Sequence, residues 1–312
     1  MLSYTLKRLM SLGIVWTVAV LVTFFAVHLV PGDPIMMMLN DQSGNVVLEA
    51  RLRAQYGLDQ PLLVQLFSYL RSIADGTFGL SYRYVGSTVF DVIKGGMMIT
   101  PILAILALLC SVPIGVGLGV LAATRAGKWI DTILIVALVI GISIPNFALA
   151  AVLVWLFSVN LGWLPVAGWG QPANLVLPLI VLIISPIAVI TRLTRTYMLE
   201  VLDKEYVRTA RAKGVRERLV IWRHALGNTL VPLLTSVGII LGGLLSGTFI
   251  VETVFNIPGL GRIAIDSILS RDYPVTMSVV LLFTAFFTLV NLAVDLLYGF
   301  VDPRIRLEGE SK

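Results

Sequence analysis

The chain has 312 residues, 57% of them hydrophobic and only 13% charged, with a mean hydropathy of +0.92. Soluble domains carry about a quarter charged residues, so this composition excludes an ordinary globular protein and points to lipid as the solvent. The formal charge of +5 does not indicate nucleic-acid binding, because Lys and Arg sit between apolar runs and are not interleaved with aromatics that could stack bases.

At the N-terminus, Lys7 and Arg8 precede an apolar stretch from Leu9 to Val30, which Pro31-Gly32-Asp33-Pro34 follows. The stretch is longer than a secretory signal core and lacks a small-residue cleavage site, so it reads as a retained first span. Each helical residue rises about 1.5 Å, and about 20 apolar residues therefore cross the hydrocarbon. By that rule the chain is expected to be an all-α polytopic membrane protein with about six spans. These are Leu9–Val30, Met98–Ala123, Thr132–Val159, Leu175–Thr191, Leu230–Val251 and Val275–Val301. Pro113 and Pro145 fall inside spans, where kinks are expected. Pro178 and Pro186 fall in the fourth.

Between the first two spans, Leu62–Ile73 is too short for a crossing and carries Arg71. It reads as an amphipathic or interfacial helix ended by Asp75-Gly76. The chain is thus expected to divide into residues 1–95, a first span with an extracytoplasmic segment, and residues 96–312, a membrane core with a cytoplasmic loop at 192–228. Cys110, the single cysteine, has no intrachain disulfide partner and is expected to be a small buried hydrophobe.

Positive charge orients the spans. One side holds Lys7, Arg8, Arg125, Lys128, the group Arg192, Arg195, Lys204, Arg208, Arg211, Lys213, Arg216, Arg218 and Arg223, and the tail residues Arg304, Arg306 and Lys312. The other holds Arg51, Arg53, Arg71, Arg83, Lys94, Arg262 and Arg271. Both termini and the 192–228 loop are therefore expected in the cytoplasm.

The spans are nearly free of ionisable groups. His28 and Glu252 lie near the outer ends and Asp295 near the inner end of the last span. An ion-coupled carrier usually keeps a carboxylate or histidine at mid-depth; Asp295 is the one candidate, and a structural partner or a cytoplasmic anchor is the simpler reading of it. No Lys is followed by Ser or Thr as a P-loop requires, and neither H-E-x-x-H nor G-x-S-x-G occurs. The chain is not expected to be an enzyme, and any energy for active transport must come from a partner. Gly115-x-x-x-Gly119, Gly238-x-x-x-Gly242 and Gly243-x-x-x-Gly247 allow close helix approach, within the chain or against a second subunit.

The most informative stretch is Glu205-Tyr206-Val207-Arg208-Thr209-Ala210-Arg211-Ala212-Lys213-Gly214, continuing through His224 and Leu226 to Asn228. It reads as a helix, a glycine break at Gly214 and a second short amphipathic helix. Physical reasoning leaves two occupants open, anionic lipid headgroups or a soluble partner. Tyr206–Gly214 followed by Arg223–Asn228 resembles the cytoplasmic coupling loop of bacterial ABC importer permeases, and more narrowly the dipeptide/oligopeptide/nickel branch. Supporting motifs run along the chain: His28–Pro34, Tyr56–Pro61, Ser143-Ile144-Pro145, Glu252–Phe255, Pro258–Arg262, Arg271–Val275 and Asp302–Arg306. Where the general loop begins Glu-Ala-Ala, this chain has Arg208-Thr209-Ala210, keeping Ala210 and Gly214.

The resemblance implies a type I ABC importer permease fold and the role of the first of two permease subunits in the bacterial inner membrane. It implies as partners a second homologous permease, two cytoplasmic ATPases and an extracytoplasmic solute-binding protein. No cofactor would bind this chain; ATP and Mg would bind the ATPases. The coupling residues it implies are Glu205, Tyr206, Arg208, Thr209, Ala210, Arg211, Ala212, Gly214, His224 and Leu226. The solute it implies is a di- or oligopeptide, although similar subunits also handle glutathione, nickel chelates and some sugars. An ion-coupled secondary transporter working without an ATPase, and an inert membrane scaffold, are the competing classes.

Overall fold

A computed structural model describes residues 2–39 and 45–301, and among them the elements are all helical. In chain order they are α1 (Leu2–Leu29), α2 (Pro34–Leu39), α3 (Val46–Tyr56), α4 (Leu62–Ala74), α5 (Val89–Ile93), α6 (Gly96–Thr124) and α7 (Trp129–Ser143). They continue with α8 (Asn146–Leu153), α9 (Ala173–Leu202), α10 (Glu205–Ala212), α11 (Glu217–Leu219), α12 (Leu226–Val254), α13 (Leu260–Leu269) and α14 (Tyr273–Val301). Two π-helical stretches, Val154–Asn160 and Val220–Ala225, extend α8 and α11. Among the described residues, five helices are long and apolar enough to cross a membrane, and a sixth crossing is made if α7 and α8 form one span.

That pair bends by 97°. Pro145 lacks the N–H that would continue the α7 ladder, and its ring forces the preceding residue out of helical conformation. Ile144 is accordingly extended, at φ −83 and ψ 119. The kink expected at Pro145 is thus a break. Helix α6, by contrast, runs on through Pro113. Helix α9 contains Pro178 and Pro186 yet continues to Leu202, well past the expected end at Thr191. The segment between α9 and α12 is correspondingly narrower than residues 192–228.

The chain forms two compact units, Leu2–Pro101 with Asn256–Phe286, and Ile102–Phe255 with residues 287–301. In the first, Val20, Phe24 and Val27 of α1 pack with Leu66 and Tyr69 of α4 and with Met277 and Leu281 of α14. Helix α4 ends at Asp75 with Gly76 at φ 74, as the Asp-Gly pair predicts. His28 is held by its neighbours: its Nδ1–H donates to the Phe24 carbonyl at 2.7 Å, and Nε2 lies 3.2 Å from the Gln65 carboxamide. Asn45 caps α3 by accepting from the Leu48 N–H at 3.1 Å, and Arg53 pairs with Asp33 and Glu49.

Asp272 organises the loop before α5. It is 1% exposed and accepts from the Ser81 hydroxyl at 2.5 Å, the Tyr82 N–H at 3.0 Å and the Arg83 N–H at 3.2 Å. Three donors replace the water this carboxylate loses on burial. Burial, and then the Asp272 charge, push the adjacent Tyr82 phenol well above its ordinary pKa. The start of α6 meets α13 closely: the Leu260 N–H donates to Thr100 Oγ1 at 2.8 Å, and a Cβ on Gly96 would stand 2.8 Å from the Leu260 nitrogen.

In the second unit, small residues set the helix spacing. A Cβ on Gly115 would lie 2.8 Å from Ile190 Cβ, and one on Gly119 would lie 2.8 Å from the Thr191 carbonyl oxygen. Gly238 and Gly242 face Val294 and Phe287 of α14 in the same way. These two glycine pairs therefore serve packing within the chain. Gly243 has no atom within 4 Å of a built Cβ, while the side-chain surroundings of position 247 lie outside the described residues. The core here joins Val116, Val120 and Ala123 of α6 to Ile190 and Met198 of α9 and to Leu226 and Leu233 of α12. Cys110 is exposed, contrary to the expectation of burial, because it lies on a face of α6 outside that core. Glu252 is fully buried. The side chain of Asp295 and the tail residues Arg304, Arg306 and Lys312 lie outside the described residues.

Candidate functional site

The segment between α9 and α12 is folded by its own chemistry. After α9 ends, Lys204 turns extended at φ −70 and ψ 147, and α10 sets off in a new direction. Val207 and Ala210, three residues apart, share a helix face. Both are buried with Val220, and Val201, Leu202 and Val215 pack around them. Ala210 therefore belongs to the interior of the segment, where Val220 occupies the room that its small side chain leaves.

Gly214 stops α10 in the left-handed region, at φ 75. Its N–H donates to the Arg211 carbonyl at 2.9 Å, and the Val215 N–H reaches back to the Ala210 carbonyl at 3.2 Å. This pair of bonds, with Val215 packed on the last turn, is the Schellman arrangement that satisfies a helix's final carbonyls. Across the turn, Arg211 grips Glu217 through two bonds, at 3.2 and 2.8 Å. Both partners are about half exposed, so the pair contributes at most about 1 kcal/mol; its effect is to fix the angle between α10 and α11.

Glu205, Tyr206, Arg208, Thr209, Arg211, Ala212 and Gly214 are exposed, and His224 is half-buried. Leu226 is buried in the α6–α9–α12 core and anchors the return into the membrane helix. Asn228 Nδ2 donates to the His224 carbonyl at 2.8 Å. Tyr206, Leu219 and Trp222 remain 45%, 48% and 52% exposed, on a segment that also carries the exposed Arg208, Arg211, Arg216 and Arg218. Exposed aromatics accompanied by arginine are the composition of a protein-binding patch.

One element escaped sequence reasoning. Asp131, 3% exposed, receives two parallel bonds from Arg195 of α9, Nε to Oδ1 and Nη2 to Oδ2, each 2.7 Å. It also accepts from the Gly127 N–H at 3.0 Å. This fork ties the start of α7 to α9 about two helical turns before α9 ends at Leu202. In the sequence Arg195 registers only as one positive charge among many, and an acid at the edge of an apolar run was the sole signal of its partner. Among the described residues, no group of three or more His, Cys, Asp or Glu is placed to hold a metal ion.

The comparisons with known proteins agree with this layout. A family model described as "Binding-protein-dependent transport system inner membrane component" matches residues 115–307, and one described as "Binding-prot-dependent transport system membrane comp, N-term" matches residues 1–88. The glutathione transport system permease protein GsiC of Escherichia coli (strain K12) is 41% identical over 306 residues, covering 98% of this chain and 99% of that protein. GsiC of Salmonella typhi matches with the same identity and coverage. The MetNI methionine ABC transporter, solved in inward-facing conformations, shares the fold with TM-score 0.58 and 21% identity, over 68% of this chain and 96% of that one. An amino acid ABC transporter solved with histidines does so with TM-score 0.51 and 17% identity, over 69% of this chain and 94% of that one.

Proposed function

This chain belongs to the family of inner-membrane components of binding-protein-dependent transport systems, and on that premise we propose that it is one of two permease subunits through which an ABC importer moves a peptide-class solute. The permease role of such an importer, in a multi-pass protein of the bacterial inner membrane, follows from family membership. The finer reading is ours: a sister permease, two ATPases carrying ATP and Mg, a solute-binding protein outside, and both termini in the cytoplasm. The solute is a short peptide, and glutathione, itself a tripeptide, falls within that class. The 41% identity with GsiC over 98% of this chain is the observation that carries this reading.

In the proposed cycle the ATPases close on binding ATP and pull on α10 and α11. The Schellman turn at Gly214 and the Arg211–Glu217 fork make the pair of short helices stiff enough to pass that movement to α9 and α12. Tyr206, Trp222 and the arginines supply the contact surface. Such coupling requires the ATPases to bind one permease state more tightly than the other, since contact with equal affinity for both would shift nothing.

The experiment is affinity purification of the chain from its native membrane, followed by uptake in vesicles with labelled glutathione and labelled dialanine. Co-purification of ATPases and import of either solute supports the proposal. Purification without ATPases, together with absence of uptake, refutes it.

A further inference from the structure

A cavity of about 310 Å³ opens between α8, α9 and α12. Its walls come from the middle of the two long helices: Leu182, Ser185 and Pro186 within Ala173–Leu202, and Ile240 and Gly243 within Leu226–Val254. A break in one helix and a gap in the hydrogen-bond ladder of another meet there. Asn146 stands just after the 97° break at Pro145. Pro186 has no N–H to offer the carbonyl four residues back, which belongs to Leu182.

Polar backbone at membrane depth persists where protein covers it or where it lines a water-filled cavity. Here Asn146 is half-buried, whereas Ser185 and Gly243 are exposed, and no atom lies within 4 Å of a Cβ built on Gly243. Nothing within this chain covers the site. A carboxamide and a hydroxyl facing hydrocarbon would each cost several kcal/mol, so the concave place where they gather suits water or a polar solute better than lipid. No Lys, Arg, Asp, Glu or His is among the described residues lining the cavity, so nothing there would neutralise a bare ion.

We propose that this cavity is a hydrated stretch of the transport path, in which Asn146 and Ser185 exchange hydrogen bonds with the uncharged amide groups of a passing peptide. The proposal rests on the permease reading above. Neutral donors and acceptors suit passage, because they replace water's hydrogen bonds without the strong hold of an ion pair.

The test uses the whole complex in lipid nanodiscs, with Cys110→Ser as background and single cysteines at Asn146, at Ser185 and, as a lipid-facing control, at Val18 on α1, which is 52% exposed. A charged, water-soluble methanethiosulfonate reacts with the thiolate, which forms only where water reaches the sulfur. Cysteines at 146 and 185 are expected to react at least about tenfold faster than the one at 18. In addition, Ser185→Trp is expected to cut uptake of labelled dialanine or glutathione, whichever the wild-type complex imports, by about tenfold or more, with ATP hydrolysis retained, because the indole fills the path. Reaction at 146 and 185 no faster than at 18, or normal uptake by Ser185→Trp, overturns the proposal. Failure of the permease reading looks different: the wild-type complex itself would then show no ATP-dependent uptake.

Discussion

Gly214→Val separates a coupling role for the α10–α11 module from mere structural presence. Position 214 holds φ 75, and a Cβ there meets no atom within 4 Å, so the perturbation falls on the backbone alone. Keeping a residue with a Cβ in the left-handed region costs about 1–2 kcal/mol, and a β-branched one sits at the upper end of about 1–3 kcal/mol. If the turn rearranges instead, the bonds from Gly214 to Arg211 and from Val215 to Ala210 are lost, at about 1 kcal/mol each. Either route places about 2–3 kcal/mol on a module whose own buried cluster is Val207, Ala210 and Val220, a shift of roughly 30- to 150-fold in its local order. Helices α9 and α12 keep their separate core with α6, so membrane abundance should not change. The assay compares uptake and binding-protein-stimulated ATP hydrolysis for Gly214→Val, Gly214→Ala and Gly214→Asn at matched abundance. Asparagine tolerates the left-handed region, so the expected order of activity is wild type, Asn, Ala, then Val, with Val reduced by about tenfold or more. Equal coupling in the Val and Asn variants would refute the reasoning.

Asp272→Ala strands the Ser81 hydroxyl and the Tyr82 and Arg83 N–H groups; it should destabilise the first unit by about 2–4 kcal/mol and expose the 77–88 loop to limited proteolysis. Unchanged cleavage there would remove Asp272 as its anchor. Arg195→Ala leaves Asp131 buried without its counter-charge and should cost about 3 kcal/mol in thermal or denaturant unfolding, whereas Asp131→Asn combined with Arg195→Gln should cost less than Arg195→Ala alone; additive losses would contradict a fork acting as a unit. For topology, in a Cys110→Ser background, Val85→Cys should label with an impermeant maleimide on intact cells, and Arg218→Cys only after permeabilisation. Labelling of both from outside would reverse the expected orientation of the 203–225 segment.

The spans were legible because a lipid-facing helix is written in long apolar runs, and the helix at Leu62–Ala74 because its Asp75-Gly76 stop is local. The break at Pro145 was legible as a kink but not in its size, since one extended residue, Ile144, sufficed to turn the chain by 97°. Helix α9 outran its expected end because Arg192, Arg195 and Thr196 interrupt hydropathy without interrupting helix propensity. Contacts distant in sequence were illegible: Asp131 meets Arg195 across 64 positions and Ser81 meets Asp272 across 191, and no periodicity records such pairs. Of the expected coupling residues, Ala210 turned inward because a segment this short must bury its small and apolar side chains to hold any shape, and Leu226 because it opens α12 and joins the core of α6, α9 and α12.

The central claim is that this chain imports with energy supplied by partner ATPases. The direct measurement is uptake of labelled peptide into proteoliposomes holding the purified complex, with the solute-binding protein and solute on the outer face and ATP on the nucleotide-binding face. Uptake is predicted to require both the binding protein and hydrolysable ATP, and to persist when ionophores collapse proton and sodium gradients. Uptake by this chain alone, driven by such a gradient without ATP, would contradict the claim.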